Sequence, residues 1–120
     1  MFRGLLVGLF FIIFLSCNSS KKIADNKVVV ISEEDKHNGL ALIAKNDCYA
    51  CHSMDKELVG PSFPKIAGKY DVTQNNIGTL AKKIISGGNG VWGKIFMTPH
   101  PSMSQADAEV IVKYILLLKK

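Results

Sequence analysis

The chain has 120 residues, 48% of them hydrophobic, with a formal net charge of +5 and three cysteines. A single domain commonly takes about 100–150 residues, so this length holds one domain and excludes a multidomain enzyme. The apolar residues are unevenly spread, 13 of the 57 falling within residues 1–17, and what remains excludes both a polytopic membrane protein and a disordered tail.

Residues 1–16 read as a secretory signal peptide. Arg3 supplies one positive charge, Gly4 to Leu15 an apolar run, and Ser16 a small residue before the cut. The run is shorter than the roughly 20 apolar residues of a comfortable bilayer span. An N-terminal anchor that stays uncleaved is the alternative for the same run. Cys17 sharpens the reading, because Phe14-Leu15-Ser16-Cys17 resembles the lipobox of bacterial lipoproteins. In that pattern the cysteine is lipidated and becomes the mature N-terminus; Phe14 departs from it, since Leu is preferred there. Residues 17–31 then form the lipidated N-terminus and a flexible tether. Asn18 to Lys27 is polar and without periodicity, whereas Val28–Ile31 is apolar and β-branched, fitting a short extended piece packed on the domain. Without Arg3 the charge falls to +4, and the lysines are spread along the chain. That pattern describes a solvated surface, not a nucleic-acid interface.

The domain proper is residues 32–120. Ser32 followed by Glu33, Glu34 and Asp35 predicts a helix N-cap with acids in the first turn, and a helix running to about Asn46. Cys48 to His52 follows at once. Glu57 to Phe63 is loop, punctuated by Gly60-Pro61, and a short helical piece fits Pro64–Tyr70. Ile77, Leu80, Ala81, Ile84 and Ile85 repeat at helical spacing until Gly87-Gly88 stops them. Gly90 to Pro101 reads as loop, too rich in Gly and Pro for regular structure. Ser104 caps a last helix bearing Val110, Ile111, Tyr114, Ile115 and Leu118. No stretch alternates like a strand, so the expected fold class is all-α.

The chemistry lies in Cys48-Tyr49-Ala50-Cys51-His52. Two cysteines three apart with a histidine directly behind them form the c-type haem attachment signature. Each thiol adds to one haem vinyl group, the spacing brings both sulfurs to neighbouring pyrrole edges, and the histidine turns its imidazole beneath the iron. A bare Cys-x-x-Cys also serves thioredoxin-like redox pairs, zinc sites and simple disulfides. Zinc needs more ligands, however, and a redox pair belongs in a βαβ setting that this chain lacks.

A haem iron bound by His52 has a sixth position whose occupant decides its use. Met97, His100 and Met103 are the downstream candidates, while Met54 is tied to the proximal side. Met97 is favoured because it lies in a loop that can cross the distal face. Met103 adjoins the cap at Ser104, where packing suits it, and any of these thioethers can also fill core space.

At these residues the chain resembles the small bacterial class I cytochromes c of the single-haem type. The likeness runs from about Ser32 to Leu118 and rests on Cys48–His52, Val59-Gly60-Pro61, Gly88-Asn89-Gly90-Val91-Trp92-Gly93 leading into Met97, and the final helix around Tyr114. It implies three to five short helices wrapped around one covalent haem c, with Met97 as the distal ligand. It implies that the Pro61 carbonyl accepts a hydrogen bond from the distal nitrogen of His52. Trp92 is then expected beside a haem propionate, with core packing as the alternative. Gly39 and Tyr114 are candidates for the crossing of first and last helices. Val59, Phe63 and Phe96 are expected at an apolar rim, with Lys56 or Lys94 nearby.

The expected function is a one-electron carrier, not an enzyme, working as a monomer between redox proteins. It is exported to the periplasmic side and held at a membrane through lipidated Cys17. Two other readings share the motif: a dedicated haem subunit of a dehydrogenase or oxidase, and a haem sensor or peroxidase with a labile sixth ligand, for which His100 is the relevant residue.

Overall fold

The computed structural model describes residues 27–120, so the expected signal peptide, Cys17 and the polar stretch after it lie outside the described residues. Helix α1 (Glu33–Lys45) begins where the Ser32 hydroxyl accepts the Asp35 N–H at 3.0 Å and the Ser32 N–H donates back to the Asp35 carboxylate at 3.3 Å. Two orphan donors of the first turn are thus satisfied reciprocally. The helix ends at Asn46, and Asp47 in the left-handed region (φ 56°) turns the chain into a single 3-10 turn, Cys48–Ala50.

Helix α2 (Phe63–Lys69) is capped by Ser62, with Pro64 in the first turn where its missing N–H costs nothing. Helix α3 (Gln74–Ser86) is capped by Thr73, whose hydroxyl accepts the Asn76 N–H at 3.2 Å, and stops at Gly87 with φ 67°. Helix α4 (Gln105–Leu116) starts from the Ser104 hydroxyl, 3.0 Å from the Asp107 nitrogen.

Helix α4 packs against all three others. Its buried Ala108, Ile111, Val112, Ile115 and Leu116 recur every three or four residues, and they meet Ile43 of α1, Phe63 of α2 and Ile77, Ala81 and Ile84 of α3. The α1–α4 crossing falls at Gly39 and Tyr114. A Cβ on Gly39 would stand 2.5 Å from the Tyr114 Cβ and 2.8 Å from the Val110 carbonyl oxygen, so only glycine permits this approach. Lys113 bonds Asp35 at 3.0 Å across the same interface. That bond, helped by Ser32 and opposed by desolvation, holds the Asp35 carboxyl below its usual range.

The segment expected to be irregular from Gly90 to Pro101 is instead mostly a hairpin. Strands β1 (Gly88–Gly90) and β2 (Gly93–Met97) pair antiparallel, Gly88 opposite Met97 and Gly90 opposite Gly93. Gly88, Gly90 and Gly93 have φ of 120°, 105° and 107°, conformations that side chains other than glycine's rarely adopt. The glycines that looked like breakers are what let the chain reverse at Val91-Trp92. The architecture is otherwise all-α.

Ahead of α1, Val28 forms an antiparallel bridge with Thr73. The Val29 N–H donates to the Val72 carbonyl at 3.0 Å, and the Gln74 N–H donates to the Lys27 carbonyl at 3.2 Å.

Candidate functional site

The 3-10 turn bends Cys48 and Cys51 onto one short loop, where the Cys51 and His52 N–H groups both donate to the Cys48 carbonyl, at 3.2 and 3.0 Å. The chain then loops out and returns, because the Gly60 N–H donates to the Cys51 carbonyl and the Phe63 N–H to the Ser53 carbonyl, each at 2.9 Å. This return carries Pro61 to His52. Its carbonyl lies 2.6 Å from His52 Nδ1. A carbonyl only accepts, so Nδ1 carries the proton and Nε2 keeps its lone pair for a metal.

Two neighbours hold the imidazole in that orientation. Phe63, buried at the start of α2, stacks on it with centroids 5.5 Å apart and 25° between planes. On Gly60 a Cβ would meet His52 Cε1 at 2.6 Å, so the glycine backbone rests directly on the ring. Phe63 is therefore not a rim residue as expected. At 1% exposure it is the floor under His52, with Tyr49 set edge-on to it at 5.8 Å.

The two thiols are unbonded to each other. Burial pushes the Cys48 thiol up, whereas the attacking cysteine of a redox pair has its thiol lowered. Among the described residues no cluster of three or more His, Cys, Asp or Glu side chains is placed to hold a metal ion.

Met97 ends β2, half-buried against the core. Its loop is pinned to the end of α3, where Gly87 leaves no room for a side chain: a Cβ would stand 2.3 Å from the Met97 carbonyl oxygen and 2.9 Å from the Pro99 nitrogen. The His100 N–H donates to the carbonyls of Ile84 and Ile85, both at 3.1 Å, and His100 Nδ1 is buried without a hydrogen-bond partner. Met103 packs at the core edge, and Met54 is exposed. Trp92, at the hairpin turn, is 38% exposed and not core. Its ring leans on α2, with the ammonium groups of Lys69 and Lys65 at 5.2 and 5.8 Å from its centroid. These two lysines, which the sequence offered only as scattered surface charge, join the hairpin to the helix that supports His52.

The cytochrome c family model matches residues 37–119, nearly the whole of the domain just described. The chain belongs to the cytochrome c family. It is 44% identical over 78 residues to cytochrome c-552 of Nitrosomonas europaea, covering 65% of this chain and 76% of that one. Against cytochrome c-551 of Azotobacter vinelandii it is 41% identical over 81 residues, covering 68% of this chain and 98% of that one. The crystal structure of wild-type Nitrosomonas europaea cytochrome c552 superposes with a TM-score of 0.62 at 42% identity, over 67% of this chain and 99% of that one. As a member of this family the protein carries one covalently bound haem c and moves electrons instead of turning over a substrate.

The residues present fit such a group. Of the twelve large hydrophobic side chains that are exposed among the described residues, eight lie on the loops between α1 and α2 and on the hairpin: Tyr49, Met54, Leu58, Val59, Val91, Trp92, Ile95 and Phe96. No buried hydrophobic comes from residues 48–62 or 87–104. These segments display apolar surface that a domain this small would otherwise bury, and a flat apolar cofactor held by them would supply the missing interior.

Proposed function

We propose that this cytochrome c is a membrane-tethered one-electron carrier, with haem joined to Cys48 and Cys51 and iron held by His52 and Met97. The observation that carries the reading is the His52 contact to the Pro61 carbonyl. It fixes the tautomer in which Nε2 is the donor nitrogen, and Gly60 and Phe63 keep the ring from turning away. When bound, the haem supplies a single reversible electron change at iron. The protein's part is to keep both axial donors in place through that change. His52 is braced as described, and Met97 is braced by the hairpin and by the close seat of its carbonyl on Gly87. A thioether is a soft donor that favours the reduced metal and raises the potential. Trp92 stands, in this reading, beside a propionate, where its indole N–H is a donor and the Lys65 and Lys69 charges lie close. Exposed Val59 and Phe96 form the apolar rim through which partners approach, and contacts of electron carriers are typically under about 1,200 Å².

In the same reading the protein sits at a membrane on the periplasmic side, exported by its signal peptide and held through lipidated Cys17. Its donor and acceptor are redox proteins of that compartment.

Met97→Ala and Met103→Ala test the ligand set. The first is expected to abolish the Met–Fe(III) charge-transfer band, admit CO to the reduced protein and lower the potential by more than about 59 mV, tenfold in the one-electron equilibrium. The second is expected to leave all three nearly unchanged. Equal effects from the two overturn the assignment. A sensor or peroxidase reading draws on one observation, the unpartnered Nδ1 of His100. It requires the unmodified reduced protein to bind CO readily.

A further inference from the structure

The segment Lys27–Ile31 lies outside the region matched by the family, yet it is clipped to the domain. Its place relative to the haem site follows from the helices. Helix α2 begins at Phe63, under His52, and its far end leads to the loop Asp71–Thr73 that holds Val28. Helix α3 begins at that loop and ends at Gly87, on the Met97 carbonyl. Helix α1 runs the same way, from Asp35 beside Lys113 near the end of α4 to the turn at Cys48. Helix α4 starts next to Met103 and closes towards Lys119, which bonds Asp71 at 3.1 Å. Every helix therefore has one end at the haem site and the other at the pole where the N-terminal arm is fixed. The 13 residues of α3 alone separate the two by about 20 Å.

We propose that this clip fixes the orientation of the domain on a membrane, with the arm pole towards the bilayer and the haem face towards water, so that its partner is a redox protein exposed to the aqueous compartment and not one embedded in the bilayer. The inference rests on the lipid-tether reading of Cys17. Ten Cα-to-Cα steps carry the chain from Cys17 to Lys27, and even fully extended they span about 35 Å. To turn the haem face onto the lipid, the tether would have to run a quarter of the way round a ball of this many residues and then down by its radius, about 40 Å, so it is too short to invert the domain. Val28 and Val30, 73% and 93% exposed, point outward at this pole, while Val29 packs inward against the core. Acids and bases pair there: Lys119 bonds Asp71, and Lys36 bonds Glu33 at the start of α1. The pole is therefore held near lipid by the tether and not by attraction to anionic headgroups.

Lysine footprinting by mass spectrometry reads the orientation on the unmodified full-length holoprotein. The membrane-extracted protein is reconstituted into phosphatidylcholine vesicles, treated with a water-soluble acylating reagent, and compared with the detergent-released form. Lys27, Lys119 and Lys120 are expected to be protected severalfold on vesicles, with Lys56 and Lys94 unchanged. Uniform protection, or protection of Lys56 and Lys94, overturns the proposal. Val29→Pro, which removes the N–H donated to Val72, is expected to even out the contrast; an unchanged pattern means the clip does not orient the domain. The same spectra show whether the N-terminal peptide carries lipid on Cys17. Its absence overturns the tether reading itself, whereas lipid with uniform protection overturns the orientation alone.

Discussion

Gly60 is the residue on which the proximal side depends most. The His52 ring occupies the space its side chain would take, with Cε1 2.6 Å and Nδ1 3.0 Å from where a Cβ would stand. Gly60→Ala must push either the ring or the 58–61 loop, and the Phe63 ring on His52 leaves little room for the first choice. Overpacking of this kind costs about 1–3 kcal/mol, which denaturant titration of the holoprotein measures. The potential is a second and more specific readout. With His52 on the iron, as proposed, a longer contact from Nδ1 to the Pro61 carbonyl makes the imidazole a poorer donor, favours the reduced metal and raises the potential. A variant that loses stability with no change in potential would show that the Pro61 contact packs the ring without tuning it. His52 and the two cysteines were legible as five contiguous residues. The floor beneath them was not, because Phe63 is separated from His52 by a loop whose return is set by backbone hydrogen bonds that no residue type announces.

At the scale of elements, two glycines in helices have opposite meanings. In α1, Gly39 sits where the Tyr114 Cβ and the Val110 carbonyl come too close for any side chain; in α3, a Cβ on Gly78 would find nothing within 4 Å. Gly39→Ala is expected to cost about 2–3 kcal/mol in overpacking, against roughly 1 kcal/mol gained in helix propensity, a net loss of about 1–2 kcal/mol. Gly78→Ala is expected to raise it by about 0.5–1 kcal/mol. Thermal unfolding of the two variants against the parent gives the signs directly. Helix ends divide in a similar way. Ser32 and Ser104 were readable as caps because acids follow them within the first turn. Thr73 was not, because its helix opens on Gln74, Asn75 and Asn76 with no acid to mark it. The hairpin stayed hidden for a different reason: glycine marks both a broken element and a tight reversal, and only pairing partners distinguish them.

At the scale of the molecule, the helices and the loops obey different rules. The helices bury their own apolar faces around α4, so their number and packing follow from periodicity. The loops from Cys48 to Ser62 and from Gly88 to Met103 contribute no buried hydrophobic side chain, and most of the exposed large ones are theirs. In the proposed reading their shape is set by the haem they enclose, which is why the cofactor motif was easier to read than the backbone around it. Small domains of this size usually need a staple beyond their own core. The double variant Cys48→Ala/Cys51→Ala, freed of haem by acid–butanone extraction, tests how far the helical core stands without one. It is expected to keep much of its far-UV circular dichroism, since the α1–α4 and α3–α4 contacts involve none of the loop residues. Its near-UV signal should collapse and its hydrodynamic radius grow by about 10–20%, as for compact states that have lost fixed packing. A native-sized radius with sharp near-UV bands would mean that the loops find a core of their own and that the exposed apolar side chains serve partner docking instead of the haem.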